Sequence, residues 1–137
     1  MLDREGLPGR GVRVLVVDDE PAICGALMQL LRRAGFDPVS AHAPPEAELL
    51  LSEHIGAMVL DLRMPHMRGD VFFFLATARF PALRSRTLFI TGDLSPEALR
   101  TISQTGCAVL EKPFRNAELV AELVRLVHRD GVAAPTR

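Results

Sequence analysis

Lysine is almost missing from this 137-residue chain: of its 16 Lys and Arg residues fifteen are Arg, and the exception is Lys112. Where every other cation is written as Arg, one Lys marks a place that wants a compact ammonium and that a planar guanidinium fork would not fit. A net charge of -1 provides no basic stripe, which argues against direct nucleic-acid contact. No apolar run is long enough to span a bilayer and no signal-peptide pattern opens the chain, so a cytoplasmic protein without a membrane anchor is expected. Cysteine is scarce too. Cys24 and Cys107 have no CxxC or His-paired spacing and sit among apolar residues, as reduced core thiols do. His42, His54, His66 and His128 are scattered without metal-ligand spacing. No GxGxxG or GxxxxGK[ST] follows a strand, which counts against a nucleotide or flavin binder; Gly6, Gly9 and Gly11 all precede the first strand.

What is present is a repeating alternation. With 48% hydrophobic residues the chain can bury one proper core. Residues 1–11 and 131–137, polar or rich in Gly and Pro, read as flexible tails or linkers around one domain over 12–130. Within it, VRVLVV (12–17) reads as a strand and PAICGALMQLLRRAG (21–35) as a helix opened by Pro21 and closed by Gly35. PVSAH (38–42), AMVLD (57–61), TLFIT (87–91) and CAVLE (107–111) read as further strands. Helices are expected over 44–54, 69–80, 95–106 and 116–130. Continuous apolar strands between amphipathic helices predict an α/β fold, a three-layer (βα)5 parallel sheet doubly wound by helices on both faces.

In such folds ligands bind beyond the carboxyl ends of the strands. The polar outliers fall there. Asp18 and Asp19 end the first strand, Asp61 the third, Thr91 the fourth, and Lys112 with Pro113 the fifth. Three neighbouring carboxylates need a counter-charge, and hard oxygen donors suit Mg2+. A cation beside a lysine and a hydroxyl is the set of parts that phosphoryl transfer uses. Asp61, alone at the end of an apolar strand, is the best candidate nucleophile, while Asp18 and Asp19 can hold the metal as a pair. Glu20 is expected only to open the first helix, favoured there by the helix dipole.

VLVVDDEP, MVLDLRMPHMRGD, LFITGD and LEKPF, in this order, resemble the signature segments of the response regulator receiver domain, the CheY-like domain of two-component signalling. The resemblance covers about residues 12–130. It implies a flavodoxin-like sheet of five strands in the order 2-1-3-4-5. It implies that Asp61 is the phosphoacceptor, charged from a phosphohistidine on a sensor histidine kinase or histidine phosphotransfer protein. Asp19 would bind Mg2+ directly, Asp18 mainly through water, and the Arg63 carbonyl would complete the protein ligands. Thr91 would hydrogen-bond the phosphoryl group and Lys112 would pair with it, across a cis Lys112–Pro113 bond. A switched face made by the fourth helix, fifth strand and fifth helix would follow, with a possible homodimer through it; the chain would have no enzymatic activity beyond its own phosphotransfer and dephosphorylation.

Several positions depart from the resemblance. Val109 stands where the family carries an aromatic switch residue, and Arg68 replaces an acid, with consequences expected only at the surface. Arg63 and Asp93, two after Asp61 and Thr91, are expected either to pair across the entry to the site and slow dephosphorylation or to be two exposed side chains. Phe72, Phe73 and Phe74 span too wide an arc of a helix to share one core stripe, so at least one belongs at the margin. An aspartate-nucleophile phosphatase shares most of the parts but would want an acid where Arg63 stands. A receiver-like interaction module that is never phosphorylated is the remaining alternative.

Overall fold

The computed structural model describes residues 6–64 and 67–129; His66, Asp130 and the segments 1–5 and 131–137 lie outside them. Five strands, β1 (Arg13–Val17), β2 (Asp37–Ala41), β3 (Ile55–Asp61), β4 (Thr87–Thr91) and β5 (Ala108–Glu111), alternate with α1 (Pro21–Arg33), α2 (Pro44–Leu50), α3 (Gly69–Arg79), α4 (Pro96–Thr105) and α5 (Asn116–Arg129). A 3-10 turn, Pro81–Arg86, leads into β4. Every pairing is parallel and the strand order is β2-β1-β3-β4-β5, the three-layer architecture that the apolar strands predict.

The period of two along each strand builds two cores. Leu15, Val17, Met58, Leu60 and Phe89 face α2, α3 and α4, where Ala47, Phe72, Phe73, Ala98 and Ile102 meet them. Val14, Val16, Ala57, Val59, Leu88 and Ile90 face α1 and α5, packing on Leu27, Leu31, Leu119, Leu123 and Val127. All seven residues of β3, the central strand, are buried, so Asp61 emerges from the most apolar track in the molecule.

Some boundaries moved. The second helix stops at Leu50, four residues before the expected end. Leu51 turns into the core, and Ser52 takes over the backbone: its carbonyl accepts from Ile55 N at 3.2 Å and its hydroxyl from His54 N at 3.1 Å. A local side-chain bond of this kind competes with the helix ladder. Part of the segment expected to be a tail is ordered: Gly9 N donates to Ala34 O at 2.7 Å, Gly11 N to Gly35 O at 2.7 Å, and Pro8 O lies 2.8 Å from His128 Nε2. Of the three phenylalanines, Phe72 and Phe73 are buried while Phe74 is 42% exposed. Cys24 is buried, its thiol donating to Asp18 O at 3.2 Å, whereas Cys107 is only half-buried at the entrance to β5; both are free thiols.

Candidate functional site

β1 and β3 are neighbours with Val17 opposite Leu60, so Asp18 and Asp61 leave the sheet at the same level. Asp18 is fully buried and anchored twice. Its amide donates to Ala41 O at 3.2 Å, and its Oδ1 accepts from Glu20 N at 3.0 Å. Glu20 is exposed at the N-cap of α1 and makes no side-chain cap bond there. Asp19, half-exposed, completes the group: one carboxylate oxygen from each of Asp18, Asp19 and Asp61 lies within 4.8 Å of the others.

Lys112 arrives from the end of β5, where its amide donates to Thr91 O at 2.8 Å and the bond to Pro113 is cis. Its ammonium donates to Asp18 Oδ2 at 3.1 Å and lies 3.6 Å from Asp61 Oδ2. The chain's single lysine therefore stands between the two buried acids. Burial opposes its charge, but the bond to Asp18 and the charges of Asp61 and Asp18 outweigh that and raise its pKa.

Asp61 is 4% exposed, and burial first, then the Asp18 charge, pushes its pKa up to about 6 against the pull of Lys112. Three carboxylates facing one ammonium give the group a surplus of negative charge. A cluster of hard oxygen donors with that surplus fits a divalent cation of the Mg2+ type. The residues present are thus chemically suited to the metal that the sequence suggests.

Thr91, fully buried at the end of β4, spends its hydroxyl locally: it accepts from Asp93 N at 2.9 Å and donates to Asp93 O at 3.3 Å. Arg63 N approaches Asp61 Oδ1 at 3.4 Å, while its guanidinium reaches across to Asp93 Oδ2, with Nε at 2.7 Å and Nη2 also donating. The Arg63–Asp93 pair therefore exists in the structure; its effect on dephosphorylation is a separate matter. Val109 is 40% exposed on β5.

Two residues near Asp61 escaped the sequence reading. Asp70 is buried and held by a two-pronged bond from Arg68, Nε to Oδ1 at 3.1 Å and Nη2 to Oδ2 at 3.0 Å. Arg68 is thus no mere surface residue, because without it Asp70 would be a buried carboxylate lacking that charged partner. Gly69 packs directly on the backbone of Asp61: a Cβ there would sit 2.2 Å from Asp61 O, a space that only glycine can share. The RGD run at the expected start of α3 held both signals, but the approach of Gly69 to Asp61 and the burial of Asp70 come only from the packing of that helix on the end of β3.

The sheet order and the acidic group beyond its carboxyl edge define a CheY-like, flavodoxin-type fold. The chain belongs to the response regulator receiver domain family of two-component signalling, whose sequence profile matches residues 14–124. Among curated proteins it is similar to the transcriptional regulatory protein TrcR of Mycobacterium tuberculosis, 32% identical over 124 residues, 88% of this chain and 47% of the relative. A protein-glutamate methylesterase/protein-glutamine glutaminase of Anaeromyxobacter dehalogenans is 34% identical over 74% of this chain and 29% of its own length. The chain thus spans half or less of these relatives. Among solved structures, a response regulator receiver protein from Pseudomonas putida superposes with TM-score 0.74 at 31% identity, covering 85% of this chain and 95% of that one. A CheY-like receiver domain protein from Methanospirillum hungatei shares the fold with TM-score 0.80 at 22% identity, over 87% of this chain and 95% of that one. Among the described residues no helix is long and apolar enough to cross a membrane.

Proposed function

We propose that this receiver is phosphorylated on Asp61 by a phosphohistidine of a sensor histidine kinase or histidine phosphotransfer protein in the cytoplasm, and that it has no other enzymatic activity. The observation that carries the reading is one buried carboxylate, Asp61, flanked by two further carboxylates and faced by the only lysine at 3.6 Å. In the transfer an Asp61 carboxylate oxygen forms a bond to phosphorus as the phosphorus–nitrogen bond of the donor breaks. The imidazole leaves with the bonding pair, and Asp61 becomes an acyl phosphate.

Each neighbour then has a task. Asp18, Asp19, Asp61 and the Arg63 carbonyl would hold Mg2+, which when bound neutralises charge on the phosphoryl oxygens. The Lys112 ammonium, already at Asp61, pairs with the transferred group, and Thr91 donates its hydroxyl to it. The added charge, roughly -2 on the phosphoryl group near neutral pH, biases the α4–β5–α5 face. Exposed Leu94, Leu99 and Val109 on or beside α4 and β5 support that face as the place of a homodimer or partner contact. Direct binding of nucleic acid by this chain is not part of the reading.

Incubation with acetyl phosphate and MgCl2, followed by intact-mass measurement, tests it. One phosphoryl adduct is expected on the wild type and none on Asp61→Asn; an unmodified wild type would leave only the interaction-module reading.

A further inference from the structure

The segments that follow β3 and β4 are tied together by arginines from one and acids from the other. Arg63 donates twice to Oδ2 of Asp93. Asp93 in turn accepts from Ser95 N on its other oxygen, Oδ1, at 2.9 Å, and Ser95 is the N-cap of α4, its Oγ accepting from Ala98 N at 3.2 Å. A second, looser tie runs parallel: Arg68, which holds Asp70, lies 3.9 Å from Glu97 in the first turn of α4. One continuous chain of contacts thus runs from the residue two after Asp61 to the start of α4.

The same chain occupies Thr91. Both hydrogen-bonding functions of its hydroxyl are used inside the Thr91–Asp93 loop, accepting from the amide of Asp93 and donating to its carbonyl. For the hydroxyl to donate to a phosphoryl group on Asp61, the contact with Asp93 O must be given up. Asp93 is held from beyond the loop by two groups, the Ser95 amide on Oδ1 and Arg63 on Oδ2, and Arg63 is the one that comes from the Asp61 side.

We propose that Arg63 and Asp93 form a latch that the phosphoryl group opens: Arg63 exchanges the Asp93 carboxylate for phosphoryl oxygens, which frees Asp93, releases the Thr91 hydroxyl and loosens the start of α4. Asp93 is a positioning residue, acting through Thr91 and Ser95. The exchange follows from charge and valence. Asp93 offers the guanidinium one oxygen, since Ser95 already uses the other, whereas a phosphoryl group on Asp61 presents several acceptor oxygens and about two negative charges. Arg63 is half-exposed and its amide is already 3.4 Å from Asp61 Oδ1, so its backbone need not travel to make the swap. The route reaches α4 without an aromatic residue at Val109.

The proposal rests on phosphorylation of Asp61, and the test separates the two. Amide hydrogen exchange over residues 93–104 is measured on the full chain, with intact mass reporting the phosphoryl adduct in the same samples. In the unphosphorylated state Arg63→Ala and Asp93→Asn should each exchange about fivefold faster than wild type, the factor equal to the roughly 1 kcal/mol upper range of an exposed ion pair. Arg63→Lys should recover part of the protection, keeping the charge but not the fork. Phosphorylation of the wild type should raise exchange over the same peptide by a similar factor. The charge-reversed double variant Arg63→Asp/Asp93→Arg should no longer respond to phosphorylation, because an acid then stands beside the phosphoryl group. An adduct on the wild type with exchange unchanged, or single variants that match wild type, would overturn the latch and leave the phosphoacceptor reading intact. No adduct at all would overturn both.

Discussion

The electrostatic strain at Asp61 is measurable without any phosphodonor, through Asp61→Asn. In the folded chain the pKa of Asp61 is pushed up to about 6 by burial and by Asp18, from an ordinary value of 3.8. The folded state therefore binds this proton more tightly than the unfolded chain does. Between about pH 4 and pH 6 the native state carries the excess proton, so stability falls as pH rises through that window and is flat above it. A shift of about 2 pH units corresponds to about 3 kcal/mol lost by pH 7.5. Asparagine has the same shape without the charge, but it leaves a buried amide to be satisfied and takes a partner from Lys112, which offsets part of the gain. A net stabilisation of about 2 kcal/mol is expected at pH 7.5 in EDTA, shrinking towards zero near pH 4.5, with other titrating groups cancelling between the two proteins. Urea unfolding at both pH values reads this directly, and added MgCl2 should narrow the gap by stabilising the wild type alone. An Asp61→Asn protein no more stable than wild type at pH 7.5, or one whose advantage is the same at both pH values, would refute the electrostatic account of the site.

Gly69→Ala places a methyl group where only 2.2 Å separates it from Asp61 O, and both neighbours are backbone; a loss of about 3 kcal/mol or more in urea unfolding is expected, with phosphorylation impaired as the acceptor shifts. Lys112→Ala removes the cation between Asp18 and Asp61, so the variant should lose stability chiefly above pH 6 in EDTA and give little phosphoryl adduct by intact mass. Phe72→Ala should cost about 3–5 kcal/mol and Phe74→Ala under about 1.5, since the first is buried and the second is 42% exposed; thermal melts of the pair would contradict the two-in, one-out packing if the costs were equal.

Apolar periodicity carried the fold because burial is a statement about residue type. A strand covered on both faces must be apolar at nearly every position, so AMVLD read as a buried strand, and the polar residue that closes it had to emerge at the sheet edge. Asp18, Asp61 and Thr91 were legible for that reason, each interrupting an apolar run at a strand end, whereas Lys112, which follows Glu111, stood out as the chain's only lysine. The end of α2 was less legible, because the competition between a helix ladder and the Ser52 hydroxyl is settled by whether Leu51 finds the core, and that depends on tertiary placement. The ordered residues 7–11 were misjudged on composition alone; glycine and proline also permit the close approach by which Gly9 bonds to the end of α1.

The contacts that distinguish this receiver are of another kind. Arg68 and Asp70, two positions apart, would read as solvated in a local window, and the sequence left Arg63 and Asp93 open between a pair and two exposed side chains. What decides the Arg63–Asp93 pair is the meeting of two loops that lie 30 positions apart in sequence and side by side in space because β3 and β4 are adjacent. Register decides it: Asp61 stands opposite Ile90, so the residue two beyond Asp61 and the residue two beyond Thr91 leave the sheet one residue out of step, within reach of a long Arg and a short Asp. A swap of Arg63 for Asp93 in sequence order would conserve charge and composition yet put an acid beside the acceptor. The latch we propose therefore depends on the order of these two charges along neighbouring strands, and it reaches α4 without an aromatic residue at Val109.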